Sequence, residues 1–140
     1  MTDIFIDCEF NGFNGSLISI ALVSEDGHEF YETLACKNPT PWVADQVLPI
    51  LNKEPVSLVA LQKQLHKYLL QFESINVIAD WPEDIKHFCE LLIIEAGTML
   101  KTPPISMQLV EVEIFSLLPH NALEDARALM KSYLNVFTHS

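Results

Sequence analysis

The sequence predicts an α/β fold built on one mixed five-stranded sheet. Three antiparallel strands come first, βα units follow, and helices flank the sheet. Three observations carry this expectation. The first third of the chain holds three apolar, β-prone segments with a hairpin signal between the second and third. The remainder alternates helically spaced apolar residues with short apolar runs. At 140 residues and 49% hydrophobic content, the chain supplies the core of one ordinary domain, taken as residues 1–140.

The elements follow in order. Residues 4–10 (IFIDCEF) form an apolar, β-prone run interrupted by Asp7 and Glu9. Residues 16–24 (SLISIALVS) are nearly continuous in apolar character, as in a strand buried on both faces. Asp26-Gly27 signals a hairpin, and residues 28–34 alternate as its return strand. Pro39, Pro41, Pro49 and Pro55 mark a connection, with a short helix expected at 43–51. Leu58, Leu61, Leu65, Leu69 and Phe72 recur at helical spacing, predicting an amphipathic helix over 57–72. Residues 76–79 (NVIA) read as a short strand. Pro82 suits the start of a helix, whose apolar face continues through Ile85, Phe88, Leu92 and Ala96 to a stop at Gly97. Another strand falls within 105–115. Asn121, with Glu124 three residues on, caps a last helix running to about residue 137.

Charge narrows the function. Nineteen acidic residues face eight basic ones, a formal net charge of −11, and Arg127 is the single arginine. Binding along an extended duplex requires many phosphate-neutralising cations, which this chain lacks. An anion-binding role therefore needs metal ions to supply positive charge locally. No apolar run approaches the roughly 20 residues of a membrane span, and the first residues lack a basic leader region. Cys8, Cys36 and Cys89 form no CxxC pair, so neither a disulfide framework nor a cysteine zinc site is expected. A reduced, cytoplasmic setting fits this usage.

Acids in costly places carry the chemistry. Asp7 and Glu9 have the same strand parity, so they emerge from one face roughly 7 Å apart. Two such carboxylates repel each other and lose hydration, and a divalent cation between them relieves both penalties. A D-x-E pair has about 0.6 chance occurrences at this composition, so its placement at the end of an apolar strand carries the weight. Asp80 and Asp84 flank the strand-to-helix junction IADWPED. Acids there also complement a helix dipole, but one carboxylate suffices to reach the strand 1 pair. His120 and Asp125 stand five apart across the start of the last helix, so both side chains can lean toward one point. The remaining histidines, His28, His66, His87 and His139, read as surface or helix-face residues with no partner.

Taken in order, these motifs resemble those of 3′–5′ exonucleases of the DEDD group, DEDDh branch. Asp7-Cys8-Glu9 matches the D-x-E motif of strand 1. EDIKHF matches the second motif at Asp84, with Asp80 as a rival or helper. His120 to Asp125, followed by Ala126-Arg127-Ala128, matches the H-x-x-x-x-D motif. The resemblance covers nearly the whole chain, and ISIALVSEDGHEF fits the family's second and third strands. The chain departs from the family at Phe10-Asn11-Gly12, where Thr-Thr-Gly or similar often follows D-x-E, and at Asp80-Trp81-Pro82-Glu83 before the second motif.

The resemblance implies a ribonuclease H-like sheet with strand 1 central beside strand 4. It implies that Asp7, Glu9, Asp84 and Asp125 hold two Mg²⁺ or Mn²⁺ ions, hard cations suited to carboxylates. His120 becomes the general base for the attacking water. The compact length points to a small bacterial exoribonuclease branch. Its members release nucleoside 5′-monophosphates from single-stranded or overhanging 3′ ends, with RNA favoured and a homodimer compatible. Phe10, Asn11, Gly12 and Trp81 are the candidate substrate contacts, Phe10 and Trp81 by base stacking along with Phe13. A catalytically silent ribonuclease H-like binding module and a small-nucleotide phosphohydrolase are the alternatives.

Overall fold

The computed structural model describes residues 1–138. Its strands β1 (Thr2–Phe10), β2 (Leu17–Ser24) and β3 (Glu29–Thr33) form the antiparallel meander. Gly27, at φ +93°, turns the β2–β3 hairpin where the Asp-Gly signal stands. Helix α1 (Pro41–Gln46), a 3₁₀ turn (Leu48–Ile50) and α2 (Leu58–Leu69) lead to β4 (Ile75–Ala79). Then come α3 (Pro82–Leu91), a small hairpin of β5 (Ile93–Glu95) and β6 (Thr98–Met99), β7 (Ile105–Leu109) and α4 (Ala122–Thr138).

The five-stranded mixed sheet has the order β3-β2-β1-β4-β7. As expected, β1 is central, antiparallel to β2 and parallel to β4. Each face of the sheet carries its own core. Ile4, Ile6 and Cys8 of β1 pack with Leu61, Leu65 and Leu69 of α2 and Phe88 of α3. Phe5 of β1 and Ile78 of β4 pack with Leu129 of α4, while Ala21 and Val23 of β2 meet Ala122 and Ala126. Small residues at 122 and 126, one turn apart, let α4 lie close to the sheet at its amino-terminal end.

Local chemistry explains the helix starts. The Ser57 and Thr40 hydroxyls accept from Ala60 N–H and Val43 N–H at 3.1 and 3.2 Å. The Asn121 carbonyl oxygen accepts from Glu124 N–H at 3.1 Å, as the capping signal predicts. The Asn121 amide also donates to Ile50 O at 2.8 Å, tying α4 to the 3₁₀ turn.

Two expectations need correction. Helix α3 ends at Leu91, not near Ala96, and Gly97 (φ +76°) turns the β5–β6 hairpin. The cause is tertiary: the Gln62 amide of α2 donates to both Leu91 O and Ile93 O at 3.1 Å, satisfying carbonyls where the helix stops. The histidine reading changes at two positions: the His28 ring has a partner, with Nδ1 3.0 Å from Asp26 Oδ1, and the helix-face His87 is not at the surface. It is buried on α3, with its ring 5.1 Å from that of Phe10. His139 lies outside the described residues.

Candidate active site

The crevice forms where β1 outruns its parallel neighbour. Pairing with β4 ends at Phe5↔Ile78, while β1 continues to Phe10 against β2. After Ala79 the chain turns away into α3, whose first turn covers the vacated edge. There Cys8 N–H donates to Asp84 Oδ1 at 3.1 Å. The chain leaves β1 toward β2 and leaves β4 toward β7, so the crevice sits where the connections diverge, at the carboxyl ends of the parallel strands. This is the usual ligand position in open α/β sheets.

Five carboxylates converge on it. Oxygens of Asp7, Asp80 and Asp84 lie within 4.8 Å of one another, and so do those of Asp7, Glu9 and Asp125. Asp7 belongs to both groups. Of the four acids singled out by motif, all are here, and Asp80 joins Asp84 rather than replacing it. Each arrives by simple geometry. Asp7 and Glu9 share the α4-facing side of β1. Asp80 ends β4, and Asp84 lies in the first turn of α3. Asp125 follows Ala122 by three residues, beside the seam that holds α4 on β2.

The electrostatics are adverse without a counter-charge. Burial pushes the Asp7 carboxyl well above its ordinary range, and Asp84, Glu9, Asp125 and Asp80 add repulsion. Glu9 is pushed up to about 8 by burial, then by the charges of Asp125 and Asp84 and a hydrogen bond shared with Asp125. Asp84 also reaches about 8 through burial and the Asp80 charge, against the lowering effect of the Cys8 N–H. Asp80 and Asp125 are raised by burial. For Asp125, hydrogen bonds from the Ser116 hydroxyl and the His120 N–H oppose the shift. Asp84 is 2% exposed, yet its Oδ2 has no hydrogen-bond partner, and neither does Asp7 Oδ2. Buried acceptors are rarely left so. Orphaned carboxylate oxygens in two overlapping groups fit a hard divalent cation.

His120 stands at the mouth of α4. Its backbone N–H donates to Asp125 Oδ2 at 3.1 Å, and its φ is +73°. Histidine is among the residues that tolerate this left-handed conformation. Its ring meets Trp42 of α1 edge to face at 4.8 Å.

The neighbouring contacts sort by exposure. A cleft of about 380 Å³ opens over Cys8, Glu9, Phe10 and Gly12, walled by Phe13, Trp42, Trp81 and Glu83. Phe13 is 89% exposed, Trp81 56% and Trp42 53%. The Trp81 indole N–H donates to Glu83 Oε1 at 3.1 Å, fixing that ring. Phe10 lines the cleft but also packs on His87 and the core. Asn11 holds the loop: its amide donates to Asn38 O at 2.7 Å and its oxygen accepts from Thr40 N–H at 2.9 Å. Gly12 has φ +76°, a conformation that suits glycine. Trp42 escaped the sequence reading, since nothing local links it to a histidine 78 residues away.

The sequence matches no family model and no curated relative. Among the described residues no helix is long and apolar enough to cross a membrane.

Proposed function

We propose that the protein is a divalent-metal-dependent 3′–5′ exonuclease of the DEDDh type on a ribonuclease H-like fold. It removes nucleoside 5′-monophosphates from single-stranded or overhanging 3′ ends, with RNA the favoured substrate and the cytoplasm the setting. One observation carries this reading: Asp7 is shared between two carboxylate groups at the open end of the central strand, with orphaned buried oxygens on Asp7 and Asp84. The strand order, with β1 beside parallel β4, supports the fold assignment.

Asp7, Glu9, Asp84 and Asp125 would hold Mg²⁺ or Mn²⁺. Bound there, such ions polarise the scissile phosphate and acidify the water that attacks it. The chain's own residues do the rest. The ring of His120, steadied by Trp42, accepts the proton of the attacking water. Water adds at the terminal phosphorus, the bond from phosphorus to the preceding 3′ oxygen breaks, and the product keeps its 5′ phosphate. Trp81, Phe13 and Trp42 offer faces on which unpaired bases stack without demanding charge. That suits a chain whose one arginine is already paired: Arg127 Nε and Nη2 donate to Glu29 at 2.6 and 2.7 Å, and Nη1 pairs with Glu124.

The test is a product ladder from 5′-labelled single-stranded and 3′-overhang RNA and DNA in Mn²⁺. Stepwise shortening from the 3′ end is expected, and it is abolished by Asp7→Ala. A full ladder from that variant, or none from the wild type, overturns the proposal.

A further inference from the structure

Asp80 has no place in the four-acid set described above, and it does not cap the helix that follows it. An aspartate ahead of a helix commonly caps it. The N-cap of α3 is Trp81, however, and no side chain makes a capping hydrogen bond there. Asp80 instead follows the last paired residue of β4 and brings its carboxylate to within 4.8 Å of Asp7 and Asp84. Asp84 supplies the independent sign that something belongs between them. One of its oxygens is taken by Cys8 N–H, and the other is buried without a partner. No cation from the chain balances this group among the described residues.

We infer that Asp80 is a fifth carboxylate ligand, completing with Asp7 and Asp84 a cation site distinct from the one formed by Asp7, Glu9 and Asp125. This rests on reading the crevice as a divalent-cation centre. The two sites then differ in kind. The first draws its ligands from β1, the end of β4 and α3, and contains the most buried acid of the crevice. The second draws on β1 and α4, beside His120. Sharing Asp7 alone, they can be emptied separately.

The experiment titrates Mn²⁺ into the full-length protein stripped of metal, by calorimetry. Wild type is expected to take up two ions. Asp80→Asn, an isosteric change at a half-buried position, should weaken one of them by about tenfold or more and leave the other as it was. Asp125→Asn should weaken the ion that Asp80→Asn spares, and Asp7→Asn should weaken both. Asp80→Cys titrated with Cd²⁺ separates ligation from an indirect charge effect. A thiolate–cadmium charge-transfer absorption beyond that given by the wild-type cysteines Cys8, Cys36 and Cys89 is expected if position 80 touches the ion. An unchanged isotherm for Asp80→Asn, or no absorption gain in Asp80→Cys, overturns the role of Asp80 alone. A wild-type protein that takes up no Mn²⁺ overturns the cation centre as a whole.

Discussion

Replacing Asp7 with asparagine should disable the protein and stabilise it at once. The side chain keeps its shape but loses a charge that lies within 4.8 Å of oxygens from each of four other acids. At that separation two ionised carboxylates repel by about 3.5 kcal/mol at an effective dielectric of 20. The acids share protons near neutrality, so the realised gain is smaller, about 1–3 kcal/mol. For a chain of this length that raises the metal-free Tm by roughly 3–10 °C. The pH dependence follows from Glu9 and Asp84, which keep protons up to about 8 in the folded chain. Unfolded carboxyls release theirs near pH 4. Between those values the folded state binds more protons, so wild-type stability falls as pH rises. The advantage of Asp7→Asn should therefore vanish near pH 4–5, grow as pH rises, and be full only above about pH 8. Saturating Mn²⁺ should reverse the order, since a ligand at 100 times its Kd stabilises by about 2.7 kcal/mol per site and the variant has lost the shared ligand. Thermal melts across pH, with EDTA and with Mn²⁺, measure all of this. If metal-free Asp7→Asn melts at or below wild type at pH 8, or gains as much from Mn²⁺, the crevice is not a repulsive, cation-seeking site.

Other outcomes are expected elsewhere. His120→Ala should lower kcat on a 3′-tailed oligonucleotide by about 10²–10⁴-fold while Mn²⁺ binding stays as in wild type; single-turnover rates and calorimetry check the pair. Trp81→Ala should raise KM for single strands by roughly 5–100-fold, the worth of one stacked base, with Tm nearly unchanged because the ring is half exposed. Phe88→Ala removes a fully buried ring from the core under β1. It should cost about 3–5 kcal/mol, read as a lower urea midpoint at unchanged slope.

The parts of this site that a sequence reveals are those fixed by local geometry. Strand parity alone puts Asp7 and Glu9 on one face, and the helix start after β4 puts Asp84 in a first turn. Asn121 caps α4 as its spacing predicts. What stayed hidden depends on contacts between distant segments. The spacing of Phe88, Leu92 and Ala96 continues a helical face, and only Gln62, reaching over from α2, shows why the helix stops at Leu91. His87 looks like any helix-face histidine until Phe10 is seen against it. Trp42 meets His120 because α1 folds back over the start of α4. Asp80 could be read as partner or substitute for Asp84, and the placement of both against Asp7 favours partner.

The two alanines under α4 bear on more than packing. Ala122 and Ala126 set how near the helix rides to β2, and Asp125 travels with that helix. A leucine at 126 would wedge the helix outward, and Asp125 would retreat from Asp7 and Glu9 with it. A displacement of only about 1 Å at a reacting centre can cost 10²-fold in rate. Two methyl groups outside the crevice thus act as the spacer that gauges the distance between carboxylates, and under the proposed function the tolerance for size at these positions is set by the site before it is set by folding.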